Sequence, residues 1–267
     1  MKETFQHYLL KSNLSSNTVR LYVRAVCNYF QLYPEITKSS LLNYKEHCVV
    51  HYKPSTANCH INALNKYLEF SKQNNLKLKL VRVQHRYFLE NVISNEDYLY
   101  FKNRLQKDGN HKLYFVIWCL AATGARISEL LQIKVEHLRV GHIDLLTKGG
   151  KIRRIYIPQK LCDEFLSWLE SQHIETGFAF FNKAGDRISR VGIVNAMKKH
   201  AKKYKIDEAV VYPHSFRHRF AKNFLEKYND ISLLADLMGH ESIETTRIYL
   251  RMTAGEQRKI INDVVTW

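Results

Sequence analysis

The stretch LMGHESIETTRIY, residues 237–249, sets a histidine and a tyrosine nine positions apart around a predicted break between two helices. One helix is expected to end at Gly239, and another is expected to begin near Ser242. Tyr249 would then lie about two turns into the second helix. The chain has 16 tyrosines, and buried tyrosines more often pack than react. Support for a chemical role of Tyr249 must therefore come from other segments.

Upstream of this stretch, residues 213–218 read PHSFRH. His214 and Arg217 stand three positions apart and share one face if the segment is helical. His214 and His218, four apart, have the spacing of a metal-binding pair. No Glu, Asp or Cys stands at the further spacing of a zinc hydrolase. The segment therefore indicates an anion-binding face and no metal site.

Residues 121–130, AATGARISEL, place Arg126 directly after a glycine-containing turn. The apolar run from 112 to 131 predicts a helix or helix pair that is broken at Thr123 and Gly124. A single arginine in such a place is more often part of a structural ion pair. The order of this segment relative to the other two is what makes Arg126 a candidate for chemistry.

A predicted β-hairpin lies between these segments. The runs 140–147 and 152–157 are rich in β-branched residues and flank the turn sequence KGGK. This turn would carry Lys148 and Lys151 at its tip. A solvated turn is the ordinary interpretation of two such lysines.

The first 80 residues predict a small helical bundle, because apolar residues recur there at spacings of three and four. Ser16 is the expected N-cap of its second helix, which Pro34 should end, and a further helix is expected at 55–71. Residues 81–93 are predicted to be a linker. The second domain is expected to span 94–267, with Ser94 capping its first helix.

Charge indicates the type of partner. The chain carries 41 Lys and Arg against 25 Asp and Glu, a net charge of +16, and the segments 1–93 and 94–267 each contribute +8. A field of this sign attracts nucleic acid. Membrane binding is disfavoured, because the charge is spread along the chain and no uncharged run is long enough for a bilayer span. Five cysteines without a Cys-x-x-Cys pair predict neither a disulfide framework nor a zinc ribbon, and they favour the cytoplasm.

Together these segments resemble the tyrosine recombinases, also called the phage integrase family, and in particular its short two-domain Xer-like members. The family signature joins an arginine in a Gly-x-Arg-x-Ser-Glu-Leu context, a hairpin lysine, a His-x-x-Arg pair, a Gly-His and a tyrosine nine residues later. The motif Phe5-x-x-Tyr8-Leu9 and the segment 14–22 resemble the helical core-binding domain of this family. The resemblance implies a mainly α-helical fold, with a small β-hairpin in the catalytic domain and a helical DNA clamp in residues 1–80.

The resemblance also implies a set of catalytic residues. By position these are Arg126, Lys148, His214, Arg217, His240 and Tyr249. Lys151 remains an alternative to Lys148, because Thr147 replaces the leading glycine of the family pattern Gly-Lys-Gly-x-Lys.

The residue types suit phosphodiester chemistry. Arginine forks bind phosphate and stay charged, and a phenol with a pKa near 10 needs a proton acceptor before it attacks. His214 is expected to be that base, Lys148 to protonate the leaving 5′ oxygen, and His240 to bind the scissile phosphate. A 3′-phosphotyrosine conserves the bond energy, so neither a cofactor nor a metal is expected.

The partners that the resemblance implies are double-stranded DNA, at two sites held by a homotetramer, and accessory DNA-binding proteins or a second recombinase. Strands would be exchanged through a Holliday junction, and integration or excision, inversion and dimer resolution all remain open.

A capping-box pattern at Thr253 and Glu256 predicts a tail helix that docks on its own domain or on a neighbouring protomer. For the function of the chain, the alternatives to a recombinase are a type IB topoisomerase-like enzyme and a DNA-binding protein without catalysis.

Overall fold

A computed structural model of the protein describes residues 2–83, 91–146, 152–182, 184–240, 242–250, 258 and 261–265. Two compact units make up the chain, Met1–His85 and Arg86–Trp267. The predicted linker at 81–93 contains residues 84–90, which lie outside the described ranges. No helix within those ranges is long and apolar enough to cross a membrane.

Four α-helices and a short 3₁₀ turn form the described part of the first unit. They are α1 (Lys2–Lys11), α2 (Ser16–Leu32), α3 (Lys38–His51), α4 (Pro54–Phe70) and the turn Asn74–Leu76. Their apolar faces enclose one core, in which Tyr29, Leu64 and Leu68 are fully buried. The predicted helical bundle is present.

Two details of this bundle differ from the sequence prediction. The N-cap of α2 is Ser15 and not Ser16, because Ser15 has extended backbone angles and its side chain accepts a hydrogen bond from the Thr18 amide at 3.2 Å. The helix predicted at 55–71 begins one residue earlier, at Pro54, because proline is well tolerated in a first turn where its missing N–H is not needed.

The described part of the second unit contains further helices and a hairpin. In chain order these are α5 (Asn95–Lys107), α6 (His111–Thr123), α7 (Ile127–Leu130), α8 (Val135–Val140), β1 (His142–Leu146), β2 (Ile152–Tyr156), α9 (Gln159–Ser171), α10 (Arg190–Lys203), α11 (Pro213–Tyr228), α12 (Ile231–Met238), α13 (Ile243–Arg247) and the 3₁₀ turn Ile248–Leu250. The apolar helix α6 is central and contacts α5, α9, α10 and α11. Ser94 caps α5 as predicted, accepting from the Asp97 amide at 2.9 Å.

The two strands pair in antiparallel register, from His142 opposite Tyr156 to Leu146 opposite Ile152. The first strand begins later than the predicted 140, because Gly141, at φ +75°, ends helix α8. The tip at 147–151, which holds Lys148 and Lys151, lies outside the described residues. The predicted fold class, mainly helical with a small hairpin, is confirmed.

Two glycine turns determine where the site forms. Gly124 ends α6 at φ +61°, and a Cβ there would lie 2.4 Å from Cδ1 of Phe220. Gly239 ends α12, also at φ +61°, and a Cβ there would lie 2.3 Å from Cδ of Arg153. A left-handed backbone and this close approach both require glycine. The predicted helix ends at these positions are present.

Candidate active site

Arg217 on α11 joins these two turns. Its side chain donates to the Gly124 carbonyl at 2.5 Å and to the Met238 carbonyl at 2.7 Å, and it lies 2.9 Å from Nε2 of His240. Carbonyls at helix C-termini carry partial negative charge and lack partners within their helix, so they suit a buried cation. Arg217 is only 2% exposed. Burial and the nearby Arg126 lower its pKa to about 10, which leaves it charged at neutral pH.

Arg126 lies at the start of α7, beside the same turns. Its Nη1 is 2.7 Å from Oε1 of Glu129, and its Nη2 donates to the Gly239 carbonyl at 3.3 Å. Glu129 also accepts from the Arg126 backbone amide at 2.7 Å. Burial opposes ionisation of Glu129, but Arg153 and Arg126 outweigh it and lower the pKa of the carboxyl. Glu129 therefore orients Arg126 while part of the guanidinium stays open to solvent.

Arg153 is a member of this network that the sequence analysis missed. It lies in β2 and pairs with Oε2 of Glu129 at 2.6 Å. Its Nε and Nη2 donate to the Leu237 carbonyl at 3.2 and 2.7 Å. Successive strand residues face opposite sides, and Arg153 shares its buried face with Ile155. In the sequence, this alternation along β2 was the signal that could have identified Arg153 as a basic residue that points inward.

His240 is held from both sides of its ring. Because arginine can only donate, Nε2 of His240 accepts from Arg217 and the ring proton resides on Nδ1. Nδ1 then donates to Oγ1 of the fully buried Thr246, 2.8 Å away. Burial, Arg217 and Arg126 lower the pKa of His240 to about 4, so the ring is neutral at neutral pH. Arg217 therefore sets the tautomer of His240, and Thr246, which the sequence analysis did not single out, accepts the Nδ1 proton and holds the ring in place.

Tyr249 lies in the 3₁₀ turn that follows α13 and is 6% exposed. Its ring stacks on His240, with centroids 6.1 Å apart and an interplanar angle of 14°. The ring of His218 lies 5.3 Å from that of Tyr249, with an interplanar angle of 55°. Burial raises the pKa of Tyr249, whereas the charges of Arg217 and Arg126 act to lower it. The phenol therefore lies in an apolar setting next to groups that stabilise its anion.

His214 occupies the exposed face of the first turn of α11. Local desolvation and the neighbouring charges of Arg217, Arg190 and Arg126 lower its pKa. Its ring centroid is 6.5 Å from that of His218. On this helix, His218 is the histidine whose ring lies against Tyr249.

The structure thus brings together Arg126, Arg217, His240 and Tyr249, with His214 one helical turn from His218. Lys148 and its alternative Lys151 lie outside the described residues. Across the described ranges, no group of three or more His, Cys, Asp or Glu side chains is arranged to hold a metal ion.

Comparison with known proteins defines the class. The chain is 28% identical to the tyrosine recombinase XerA of Pyrococcus furiosus over 266 residues, covering 97% of this chain and 92% of that protein. It is 28% identical to the TnP I resolvase of Bacillus thuringiensis over 270 residues, covering 92% and 93%. The fold is similar to that of the XerH site-specific recombinase in a pre-cleavage complex with its difH substrate, with a TM-score of 0.70 at 19% identity over 94% of this chain and 80% of that one.

These relatives are DNA strand-transferring enzymes, and this protein is one as well. The family model for the phage integrases matches residues 93–256, and the chain belongs to this family, the tyrosine recombinases. Its function is site-specific DNA recombination. The comparisons do not favour the topoisomerase-like alternative or a binding protein without catalysis.

Proposed function

We propose that Tyr249 is the nucleophile of this recombination. Its oxygen attacks a DNA phosphate, forms a 3′-phosphotyrosine and releases a 5′ hydroxyl. The observation that carries this proposal is the buried phenol of Tyr249, which lies against His240 and His218 and within the field of Arg217. Burial raises the pKa of this phenol, so it needs a base to remove its proton, and the fixed cation of Arg217 stabilises the phenolate that results.

Arg126 and Arg217 are proposed to bind the scissile phosphate. Charge develops on the phosphate oxygens in the transition state, and cations already fixed in position stabilise it without reorganisation. Two backbone carbonyls hold Arg217, and Glu129 holds Arg126. The partly open guanidinium of Arg126 supports its assignment as the first phosphate contact.

His240 is proposed to bind the phosphate through Nε2. In the structure this nitrogen accepts from Arg217 and carries no proton. It must gain a proton before it can donate to a phosphate oxygen, either from solvent or by exchange with Nδ1. The contact with Thr246 limits the ring to this orientation, so Nε2 stays directed at the site.

Thr246→Val tests that contact. Valine fills the same space but leaves Nδ1–H of His240 buried without an acceptor, which costs about 1–3 kcal/mol. We expect the free energy of unfolding to fall by that amount, as measured by urea denaturation, and DNA cleavage to slow by roughly 10-fold, equivalent to about 1.4 kcal/mol. Thr246→Ser keeps the hydroxyl and should restore both. Wild-type stability and cleavage in the valine variant would contradict the assigned role of Thr246.

Two proton transfers complete the proposed reaction. His214 is proposed as the base that finally receives the proton of Tyr249, and Lys148, or Lys151 in its place, as the acid that protonates the leaving 5′ oxygen. Through its ion pair with Glu129 and its hydrogen bonds to Leu237, Arg153 ties β2 of this hairpin to the phosphate-binding residues.

The assembly is proposed to be a homotetramer that holds two double-stranded DNA sites and exchanges strands through a Holliday junction, with accessory proteins or a second recombinase where the site requires them. Residues 1–80 would form the DNA clamp, 81–93 the linker and 94–267 the catalytic domain. Five free cysteines support a cytoplasmic location. The relatives include both Xer recombinases and the TnP I resolvase, so integration or excision, inversion and dimer resolution all fit.

Salt should weaken DNA binding strongly. The net charge of +16 implies many phosphate contacts, each of which releases a counterion when it forms. We expect affinity to fall by roughly 10³-fold or more between 50 and 200 mM salt. Fluorescence anisotropy with a labelled duplex measures this change. An affinity that is constant over the range would contradict a clamp built on phosphate contacts.

The experiment that tests the proposed function is capture of a covalent adduct. The purified protein is incubated with a supercoiled library of DNA that flanks its own gene, denatured, and digested with nuclease and trypsin. Mass spectrometry should find a nucleotide on the peptide 248–251, which contains Tyr249, and sequencing of the captured DNA would reveal the site. A nucleotide attached to any other residue would show that Tyr249 is not the nucleophile.

A further inference from the structure

His218 has a buried polar atom that the described part of the chain leaves unused. Its Nδ1 is inaccessible to solvent and has no hydrogen-bond partner among the described residues. Buried polar atoms are nearly always paired, and an unpaired one indicates strain or a chemical role. The unused atom is therefore evidence that His218 acts in the reaction.

The position of His218 suggests what that role is. Its ring neighbours two side chains of the site, with centroid distances of 5.3 Å to Tyr249 and 6.5 Å to His214. His218 is partly buried, whereas His214, one turn earlier on α11, is exposed. The three rings thus form a path from the buried phenol to solvent.

We propose that His218 is the first acceptor of the Tyr249 proton and passes it on towards His214 and solvent. The proposal rests on the proposed function of Tyr249 as nucleophile. The phenol oxygen forms its bond to phosphorus as the bond from phosphorus to the 5′ oxygen breaks. In this step the Tyr249 hydroxyl, which makes no hydrogen bond to Nδ1 of His218 in this structure, turns to that atom and gives it its proton. The proton on Nε2 of the same ring leaves for a water molecule or for His214, so His218 returns to a neutral state.

The charges around His218 favour the release of a proton from its ring over its retention. The ionisable groups that face it are His214 and Arg217 on its own helix and Tyr249 from the turn after α13. Burial, followed by His214 and Arg217, lowers the pKa of His218 to about 4. The neutral ring therefore has a lone pair available at neutral pH, and an imidazolium formed there is unstable enough to release its proton.

Two variants and a control test the relay. His218→Phe keeps a ring but cannot accept a proton, and His218→Gln keeps a polar group of similar reach. His173→Asn is the control, because His173 is exposed and its φ of +58° suits asparagine. Single-turnover cleavage is measured on the duplex recovered by adduct capture, with binding measured separately. We expect both His218 variants to cleave roughly 10²-fold or more slowly while binding with unchanged affinity, and the control to match the wild type.

A second measurement separates proton transfer from packing. Difluorotyrosine in place of Tyr249 has a more acidic phenol and needs a base less. Fluorination should speed cleavage in His218→Phe and leave it unchanged or slower in the wild type. The cleavage rate of His218→Phe should also rise with pH above neutrality, where the wild-type rate is flat. A residue that only supports packing would give the same loss with both tyrosines at every pH.

Wild-type cleavage by both His218 variants, or a loss that neither fluorination nor pH changes, would overturn the relay. Folding of both variants is checked by circular dichroism. If His218→Phe does not fold, the same cleavage measurements are made with His218→Gln. If the captured nucleotide is on Tyr249 and the His218 variants cleave normally, only the relay is wrong. If the nucleotide is elsewhere, the proposed function is wrong as well.

Discussion

Tyr249→Phe is expected to form no covalent DNA adduct and to cleave DNA at least about 10⁴-fold more slowly, as other enzymes do without their nucleophile. Phenylalanine retains the ring that packs against His218 and His240 and loses only the hydroxyl oxygen. The core around Leu225, Leu234 and Met238 should therefore stay intact. DNA binding is expected to remain at the wild-type level, because Arg126 and Arg217, the proposed phosphate contacts, are unchanged.

The matched control is Tyr228→Phe. Tyr228 lies at the end of α11 in the same unit, and 62% of it is exposed. This variant should form adduct as the wild type does. The amount of covalent adduct that each variant forms is measured on denaturing gels with end-labelled DNA. Adduct in Tyr249→Phe at the wild-type level would move the nucleophile to another residue.

Arg217→Lys is expected to reduce cleavage by roughly 10²- to 10³-fold, the range for removing one preorganised donor from a charged transition state. Lysine keeps the charge, but it has a single nitrogen and lacks the planar fork. It cannot reach the Gly124 carbonyl, the Met238 carbonyl and His240 with the geometry of a guanidinium. A carbonyl left buried without a donor should also lower the free energy of unfolding by about 1–3 kcal/mol.

Arg139→Lys is the control for this change. Arg139 also donates to a backbone carbonyl, that of Glu175 at 2.9 Å, but it is exposed and does not belong to the network around Glu129. Its replacement should alter neither cleavage nor stability. Single-turnover cleavage and urea denaturation of both variants distinguish the outcomes. Full cleavage by Arg217→Lys would show that charge alone suffices at this position.

The interruption of α6 at Gly124, the end of α12 at Gly239 and the hairpin were all predicted from local patterns. Each depends on neighbours within a few residues: an apolar helix followed by glycine, or two β-branched runs around a glycine-containing turn. The residue types of the candidate site were predicted as well, because the order and spacing of Arg126, His214, Arg217, His240 and Tyr249 match a family signature. The errors at Ser16 and at the start of β1 are shifts of one or two residues at element ends, where competing caps have similar energies.

The sequence by itself therefore determined the fold class, the family and the identity of five described candidate residues, because these depend on local periodicity and on a motif in fixed order. Only the tertiary structure decided which side chains act together. Arg153 and Glu129 are 24 positions apart, and the ring of His218 meets that of Tyr249 only because α11 packs against the final 3₁₀ turn. Such contacts depend on how helices and strands pack over long separations along the chain. Short-range sequence patterns do not encode that packing.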